Sequence, residues 1–278
     1  MAGYFRMFQP AVSLSPLVAT IFFECYPYLP LTSYRYGGES MDYSHVLDDA
    51  LHYTKEGIFG SADRWMKLVL AIICLGIPLN GYVMRIYRGA DPAPDVEEWG
   101  TLFVDGLKLI VVGIIYAVPV MIVWAFVYES MLLALMQGNT AAMENWSPNL
   151  GLMGLMYVLE ILIGIIMPVA AIRFARTASF SEAFNIGAIL ETIKKIGWIN
   201  YLIALILIAI VIAIPVCIII FGMILVGGIS MFMLGGNTAT LVGFIAAAIL
   251  IILALAPLLT VFQARYMTRV YDSAAQEA

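Results

Sequence analysis

Residues 201–227 decide the fold: they read YLIALILIAIVIAIPVCIIIFGMILVG and contain no charged side chain. A helix needs about 20 consecutive apolar residues to cross the hydrocarbon of a bilayer. Similar stretches cover about 107–136, 151–172 and 240–263. Of the 278 residues, 63% are hydrophobic and 12% are charged, where about a quarter are charged in a soluble domain. The sequence predicts an all-α fold, a polytopic membrane helical bundle.

Three further segments are expected to meet the membrane without simply crossing it. Residues 68–84 are apolar but short, and Gly76-Ile77-Pro78 breaks them. Seventeen residues at about 1.5 Å each barely cross the hydrocarbon, so either a thin span or a re-entrant hairpin is expected. Residues 42–64 and 177–197 have apolar side chains at helical spacing, which predicts amphipathic helices lying in the plane of the membrane.

Basic residues orient the spans. The connectors 138–150 and 228–239 contain no Lys or Arg, whereas the opposite ends of the spans carry Arg173, Arg176, Lys194, Lys195, Arg265 and Arg269. Lys and Arg concentrate in cytoplasmic loops, so we expect a multi-pass protein of the cell (cytoplasmic) membrane with its C-terminus in the cytoplasm. Basic residues are balanced on the two sides of 68–84, which favours the hairpin.

The chain is expected to form one membrane domain over 41–278, built from two similar units at about 95–176 and 177–272. Each unit has a helix interrupted by a proline, an outer turn with Asn-Thr-Ala, and a second proline with an arginine eight residues after it. The matching landmarks are Pro119 and Pro215, Asn139 and Asn237, Pro168 and Pro257, and Arg176 and Arg265. Units with an even number of crossings run parallel. The sequence therefore predicts two parallel helix-hairpin repeats.

Residues 1–40 are unlike the rest of the chain. A short apolar run at 11–23 has the length of a signal-peptide core, although no clear cleavage site follows it. Alternatively, codons for Gly37-Gly38-Glu39 can spell a ribosome-binding sequence just before Met41. On that hypothesis translation starts at Met41, and 1–40 are upstream sequence.

Two carboxylates in apolar segments are candidate functional residues. Glu160 lies near the middle of the span 151–172, where a charged side chain costs a few kcal/mol and marks a functional site by default. It is expected to be protonated or paired, for example with Tyr157; the alternative is a hydrogen bond that only fixes helix packing. Glu129 lies near the outer end of its helix, where contact with water explains it.

Several function classes are excluded or disfavoured. The basic residues form no stripe, so nucleic acid is not expected as a partner. No nucleophile motif, phosphate-binding loop or nucleotide fingerprint is present, which predicts that the protein is not an enzyme and has no cofactor. His45, Asp49 and His52 have helical spacing, but they lack a known metal-site pattern, so no metal site is predicted.

The segment Glu98–Lys108, EWGTLFVDGLK, resembles an uncharacterised membrane family that is common in archaea, domain of unknown function 4013. The connector formed by Glu97, Glu98, Trp99 and Asp105 carries the most specific part of this resemblance. Gly81-Tyr82 with Arg85 and Arg88, and the late Arg265-Tyr266, also fit. The resemblance covers about 41–272 and implies no biochemical activity.

Two functions remain open. The first is a non-catalytic scaffold or partner subunit that contacts membrane lipids, a membrane-protein partner or further copies of itself, with the connector as a docking surface. The second is a transporter or permease-like bundle for a small or lipophilic solute. The predicted parallel repeat, the prolines inside the helices and Glu160 favour the second. The lack of clustered polar residues in the spans favours the first.

Overall fold

The computed structural model describes residues 41–234 and 237–276, and the predicted extension 1–40 lies outside the described residues. Most of the described residues are helical, and none of them forms a strand. A single π-helical turn covers Lys55–Phe59 and a 3-10 turn covers Phe180–Ala183. The α-helices are α1 (Tyr43–Thr54), α2 (Ala62–Ile73), α3 (Ile77–Tyr87), α4 (Trp99–Met136), α5 (Thr140–Glu144), α6 (Leu150–Thr177), α7 (Ile186–Ile196), α8 (Trp198–Leu234) and α9 (Thr238–Gln276).

Four helices, α4, α6, α8 and α9, are long and apolar enough to cross a membrane. Between 6% and 28% of their most apolar windows is buried within the protein, as expected for helices whose remaining surface faces lipid. The predicted all-α membrane bundle is confirmed. The helices are longer than the predicted spans: α4 begins at Trp99 rather than near 107, and α9 continues to Gln276 rather than ending near 263.

The spanning helices form two antiparallel hairpins, α4 with α6 and α8 with α9. Pro119, Pro168, Pro215 and Pro257 all lie inside their helices, which continue past them. The sequence repeat that relates the two hairpins stays a prediction.

The broken apolar stretch at 68–84 forms two short helices, as Gly76-Ile77-Pro78 predicted. Between α2 and α3, Leu75 and Gly76 both adopt left-handed conformations, with φ of 59° and 70°. Arg64 in the first turn of α2 lies 2.6 Å from the Asp95 carboxylate, and Arg85 at the end of α3 donates to the Asp95 carbonyl over 3.1 Å. Since both helices return to the same residue, the segment doubles back and is a hairpin.

The hairpin is fixed by a close approach of α3 to α4. A Cβ added at Gly81 would collide with the carbonyl oxygen of Leu102, and one at Gly106 with the carbonyl oxygen of Ile77. Only glycine allows two helix backbones to come this near. Tyr82, which is fully buried beside this contact, donates its hydroxyl to the Pro94 carbonyl over 3.0 Å and so ties the hairpin to the connector.

The segment before α8 was predicted as one amphipathic helix over 177–197, but its helix begins only at Ile186. Ser179 and Glu182 have the spacing of a capping box, but Ser179 makes no side-chain cap and the 3-10 turn follows it. Glu182 instead pairs with Arg173 of α6. The helix α7 begins at Ile186, after Asn185, whose side chain accepts from the Ala188 amide over 3.1 Å. The Glu182 carboxylate, which would accept a backbone N–H in a capping box, is therefore paired with Arg173 instead.

Candidate functional site

A buried arginine on α9 organises the charged end of the molecule. The Arg265 side chain is only 4% exposed and lies 2.7 Å from the carboxylates of both Asp49, on α1, and Asp91, in the connector. Arg269, one turn later, lies 2.7 Å from Asp49 as well. A buried charge is tolerated when it is paired and hydrogen-bonded, and these contacts satisfy that condition.

The aromatic ring of Tyr53 completes the surroundings of Arg265. The guanidinium carbon lies 4.2 Å from the ring centre, and the Tyr53 hydroxyl donates to the Ala90 carbonyl over 3.0 Å. Burial raises the pKa of Asp49, but hydrogen bonds from Arg269 and Arg265 outweigh it and hold that pKa below the usual range. Two arginines and two aspartates therefore form a neutral network, which we call the α1–α9 latch: Asp49, Asp91, Arg265 and Arg269.

A cavity of about 180 Å³ lies beside the latch, and its lining includes Tyr53, Glu56, Arg64 and Asp91. His52 also lines it and lies 3.5 Å from Glu56. The Asp49 carboxylate is held by two guanidinium groups, so it is not free to act as the metal ligand considered with His45 and His52. Within the described residues, no three His, Cys, Asp or Glu side chains are grouped to hold a metal.

The connector's candidate docking residues contact their own chain. Asp105 lies 2.7 Å from Arg88, and Glu98 lies 3.4 Å from Arg85. Trp99 is partly buried against the core of α3 and α4, while the Glu97 side chain is exposed. The connector is thus held in place by the basic residues of α3, and the side chains of Glu97 and Glu98 are exposed.

Glu160 lies on α6, with its side chain exposed and without a hydrogen bond or ion pair to any described residue. It is ten residues after Leu150 and thirteen before Arg173. At about 1.5 Å per residue these separations are about 15 and 20 Å, which places Glu160 near the middle of the hydrocarbon. If Glu160 were buried between helices, it would need a hydrogen-bond partner in the same chain. No such partner is present among the described residues.

The surface around Glu160 is open. Tyr157 and Ile161 are 52% and 63% exposed, and a Cβ added at Gly164 would meet nothing within 4 Å. Met156, one turn before Glu160, is buried, so Glu160 lies at the edge of the exposed side of the helix. Tyr157, Glu160 and Gly164 are spaced by three and four residues and so share one face of α6. We call these three residues the Glu160 face.

Glu129 lies elsewhere, near the C-terminal end of α4, and is exposed. Its neighbour Tyr128 stacks between Trp124 and Trp146, with ring centres 5.0 and 5.3 Å away. Tyr and Trp side chains collect where a membrane meets water. The aromatic rings beside Glu129 are of the kind found at a membrane interface, and the structure shows no contact between Glu129 and Glu160.

Sequence reasoning missed the α1–α9 latch. Arg265 and Asp49 are 216 positions apart, so no local spacing links them. The available signal was a basic residue close to the apolar part of the last span, since a charge at that depth needs a partner. The charge asymmetry, the repeat landmarks and the family resemblance all include Arg265, but none of them indicates its partner.

Four apolar spans with their ion pairs gathered at one end define an integral, multi-pass membrane protein. Within that class, a family model described as "Protein of unknown function (DUF4013)" matches residues 66–223, more than half of the chain. The chain belongs to this family, as the connector predicted, although the match is shorter than the expected 41–272. Neither a curated protein nor a solved structure matches the chain.

Proposed function

We propose that this protein is a non-catalytic scaffold or partner subunit of the cell membrane, and that it docks to its partner through the Glu160 face. The observation that carries the proposal is an exposed carboxyl group within the apolar part of a spanning helix, ten residues from its start. Ionisable residues in spans are rare and almost always face the inside of a bundle or a water-filled cavity. Glu160 faces outward, so a second molecule is needed to supply its hydrogen bonds.

The cost of leaving Glu160 in lipid sets the scale of the argument. Insertion scales assign a charged residue at the centre of a spanning helix a penalty of about 2.5–3.5 kcal/mol. A polar contact between helices returns about 1–2 kcal/mol in model peptides. Docking of another helix on the Glu160 face would therefore recover a good part of the penalty, and it would also cover Tyr157.

The position of the cavity favours docking over transport. A transporter holds its solute between helices near the middle of the membrane. The cavity beside Asp91 and Arg265 lies at the charged end of the helices, and the Glu160 side chain is exposed and does not line it. Trp99 and Asp105 are already engaged within the chain, so the Glu160 face supports docking better than the connector does.

The orientation of the proposed subunit follows from its charges. We place the ion-paired end, including Arg173, Arg176 and the latch, in the cytoplasm together with the C-terminus. On α7, Ile189, Ile193 and Ile196 are buried while Lys194 and Lys195 are exposed. An amphipathic helix lying along the inner leaflet, with its lysines near anionic lipid headgroups, would have this distribution.

Site-specific photo-crosslinking in native membranes tests the docking face. A benzoylphenylalanine residue replaces Tyr157, and in a matched control it replaces Leu155, which is 46% exposed and two residues away on the opposite face. We expect a protein adduct from position 157 and lipid adducts alone from 155. Lipid adducts alone from both positions would contradict the proposal.

A further inference from the structure

We infer that the molecule covering the Glu160 face is a second copy of this chain, related by a two-fold axis along the membrane normal that brings Glu160 of each copy together. This inference rests on the proposed function, because it names the partner of the same face. It starts from the observation that Glu160 is exposed, central in its span and unbonded among the described residues.

The chemistry of a carboxylic acid makes such a contact complementary to itself. In its neutral form the group has one O–H donor and one carbonyl acceptor. Two of them facing each other across a two-fold axis form a reciprocal pair of O–H···O bonds, so every donor and acceptor in the pair is used. In a two-fold interface the same surface patch serves both subunits, which is the arrangement that a single unpaired acid requires.

The spanning helices, as far as the structure describes them, offer no basic residue for an alternative pairing at this depth. The described parts of α8 carry no charged side chain, α9 carries none before Arg265, and α4 carries none between Lys108 and Glu129. A contact between Glu160 and a lysine or arginine of a second copy would therefore have to leave the middle of the membrane. Among the described residues, the carboxyl groups themselves are the polar groups available for self-association through this face at that depth.

The surroundings of Glu160 permit two helices to approach. Gly164 lies one turn toward the charged end, with open space where its side chain would be, and Tyr157 lies one turn toward the outer end. Small residues at helix–helix contacts in membranes let backbones come close, which brings short polar side chains into hydrogen-bonding range. Two α6 helices that cross near Gly164 would meet at Glu160 and stack their Tyr157 rings on the outer side.

The first test is the mass of the purified full-length protein in lipid nanodiscs, measured by native mass spectrometry. We expect the wild-type chain at twice its 30.5 kDa. Glu160→Leu, which keeps the apolar bulk but cannot hydrogen-bond, should weaken the dimer at least tenfold. Glu160→Gln should weaken it less, because an amide also donates and accepts. Glu129→Leu, which removes the interfacial carboxylate, should leave the dimer unchanged.

The second test leaves Glu160 in place, so it does not depend on how a chain substituted at Glu160 folds. In a background with Cys25, Cys74 and Cys217 replaced by serine, Gly164→Cys should form a disulfide between two copies on oxidation, and Leu155→Cys should not. A monomeric wild-type protein, or a dimer that Glu160→Leu leaves intact, would overturn the inference. If position 157 crosslinks to a different protein, the inference fails while the proposed function stands; if it crosslinks to no protein, both fail.

Discussion

Asp49 is the residue that joins the first helix of the described chain to the last. Its carboxylate lies 2.7 Å from both Arg265 and Arg269, while Asp91 is the other anion near Arg265. If the Asp49 charge is removed, a nearly buried guanidinium keeps one carboxylate instead of two. Breaking a buried ion pair costs more than the pair itself contributes, because the remaining charge stays desolvated.

We predict that Asp49→Asn lowers the midpoint of thermal unfolding in detergent by roughly 6–10 °C, from a loss of about 3 kcal/mol. Asp48→Asn is the matched control: Asp48 is adjacent, exposed and carries the same charge. Its midpoint should stay within about 1–2 °C of the wild type, as for other surface substitutions. Equal effects of the two substitutions would show that the latch does not hold α1 against α9.

Asp49 also makes the stability of the folded protein depend on pH in the acid range. The folded-state pKa of Asp49 lies below its unfolded value, so its contribution is fully present above that unfolded value and is lost as the pH falls toward the folded one. Unfolded aspartate has a pKa of about 3.9. The difference in unfolding midpoint between wild type and Asp49→Asn should therefore be constant from about pH 8 to 5 and shrink below about pH 4.

At the scale of single residues, the sequence predicted the position of a residue along its span better than the side of the helix on which the residue lies. The position of Glu160 in its span follows from counting residues, and the structure agrees with it. Whether a helical residue faces in or out depends on which neighbours pack against the helix, and α6 is apolar on every side, so its sequence gives no signal for this. The exposure of Glu160 and Tyr157 had to come from the structure.

At the scale of elements, the tightest contact joins α3 to α4 through Gly81 and Gly106. We predict that Gly106→Ala costs about 1–3 kcal/mol, the usual penalty of overpacking, because the new methyl group collides with the Ile77 carbonyl. The measurement is the thermal midpoint of the purified protein. Gly100→Ala is the control in the same helix, since nothing lies within 4 Å of its added Cβ.

Gly100→Ala should leave the midpoint unchanged or raise it slightly, because alanine favours a helix by about 0.5–1 kcal/mol over glycine. A Gly106→Ala protein as stable as the control would mean that α3 can move away from α4 without loss. The hairpin would then be a loosely attached element.

Tyrosine hydroxyls join elements that the sequence pattern treats separately. Tyr201 of α8 donates to the Ile165 carbonyl of α6 over 2.6 Å, and Tyr266 of α9 donates to the Ala204 carbonyl of α8 over 3.0 Å. Pro168 lacks the N–H that would bond to the Gly164 carbonyl four residues back, so the hydrogen-bond ladder of α6 is interrupted next to Ile165. Composition predicted the spans and the prolines predicted interruptions, but neither specified which carbonyls the two tyrosines would reach.

At the scale of the whole molecule, the sequence predicted the class and the number of long spans because both follow from the length of apolar runs. The hairpin at α2 and α3 was one of two alternatives, since balanced charges and a central Gly-Ile-Pro favour it without excluding a thin span. The sequence could not predict the α1–α9 latch, because its residues come from the first helix, the connector and the last helix and meet only in the folded chain.

Cysteine accessibility measures the topology that these charges imply. In the background without native cysteines, we predict that Thr140→Cys, in the outer turn, reacts with a membrane-impermeant maleimide in intact cells. Ala275→Cys, exposed near the C-terminus, should react only after permeabilisation. Leu75→Cys decides the hairpin: the Leu75 side chain is 87% exposed at the turn between α2 and α3, yet both helices return to Asp95 at the charged end.

A hairpin that enters from the cytoplasmic side keeps Leu75 away from the outside, so Leu75→Cys should stay unlabelled in intact cells. Labelling of Leu75→Cys from outside would mean that α2 and α3 traverse the membrane. Labelling of Ala275→Cys in intact cells would invert the molecule and place the latch outside. The two-fold pairing through Glu160 survives either result, because an axis along the membrane normal brings the same face together in both orientations.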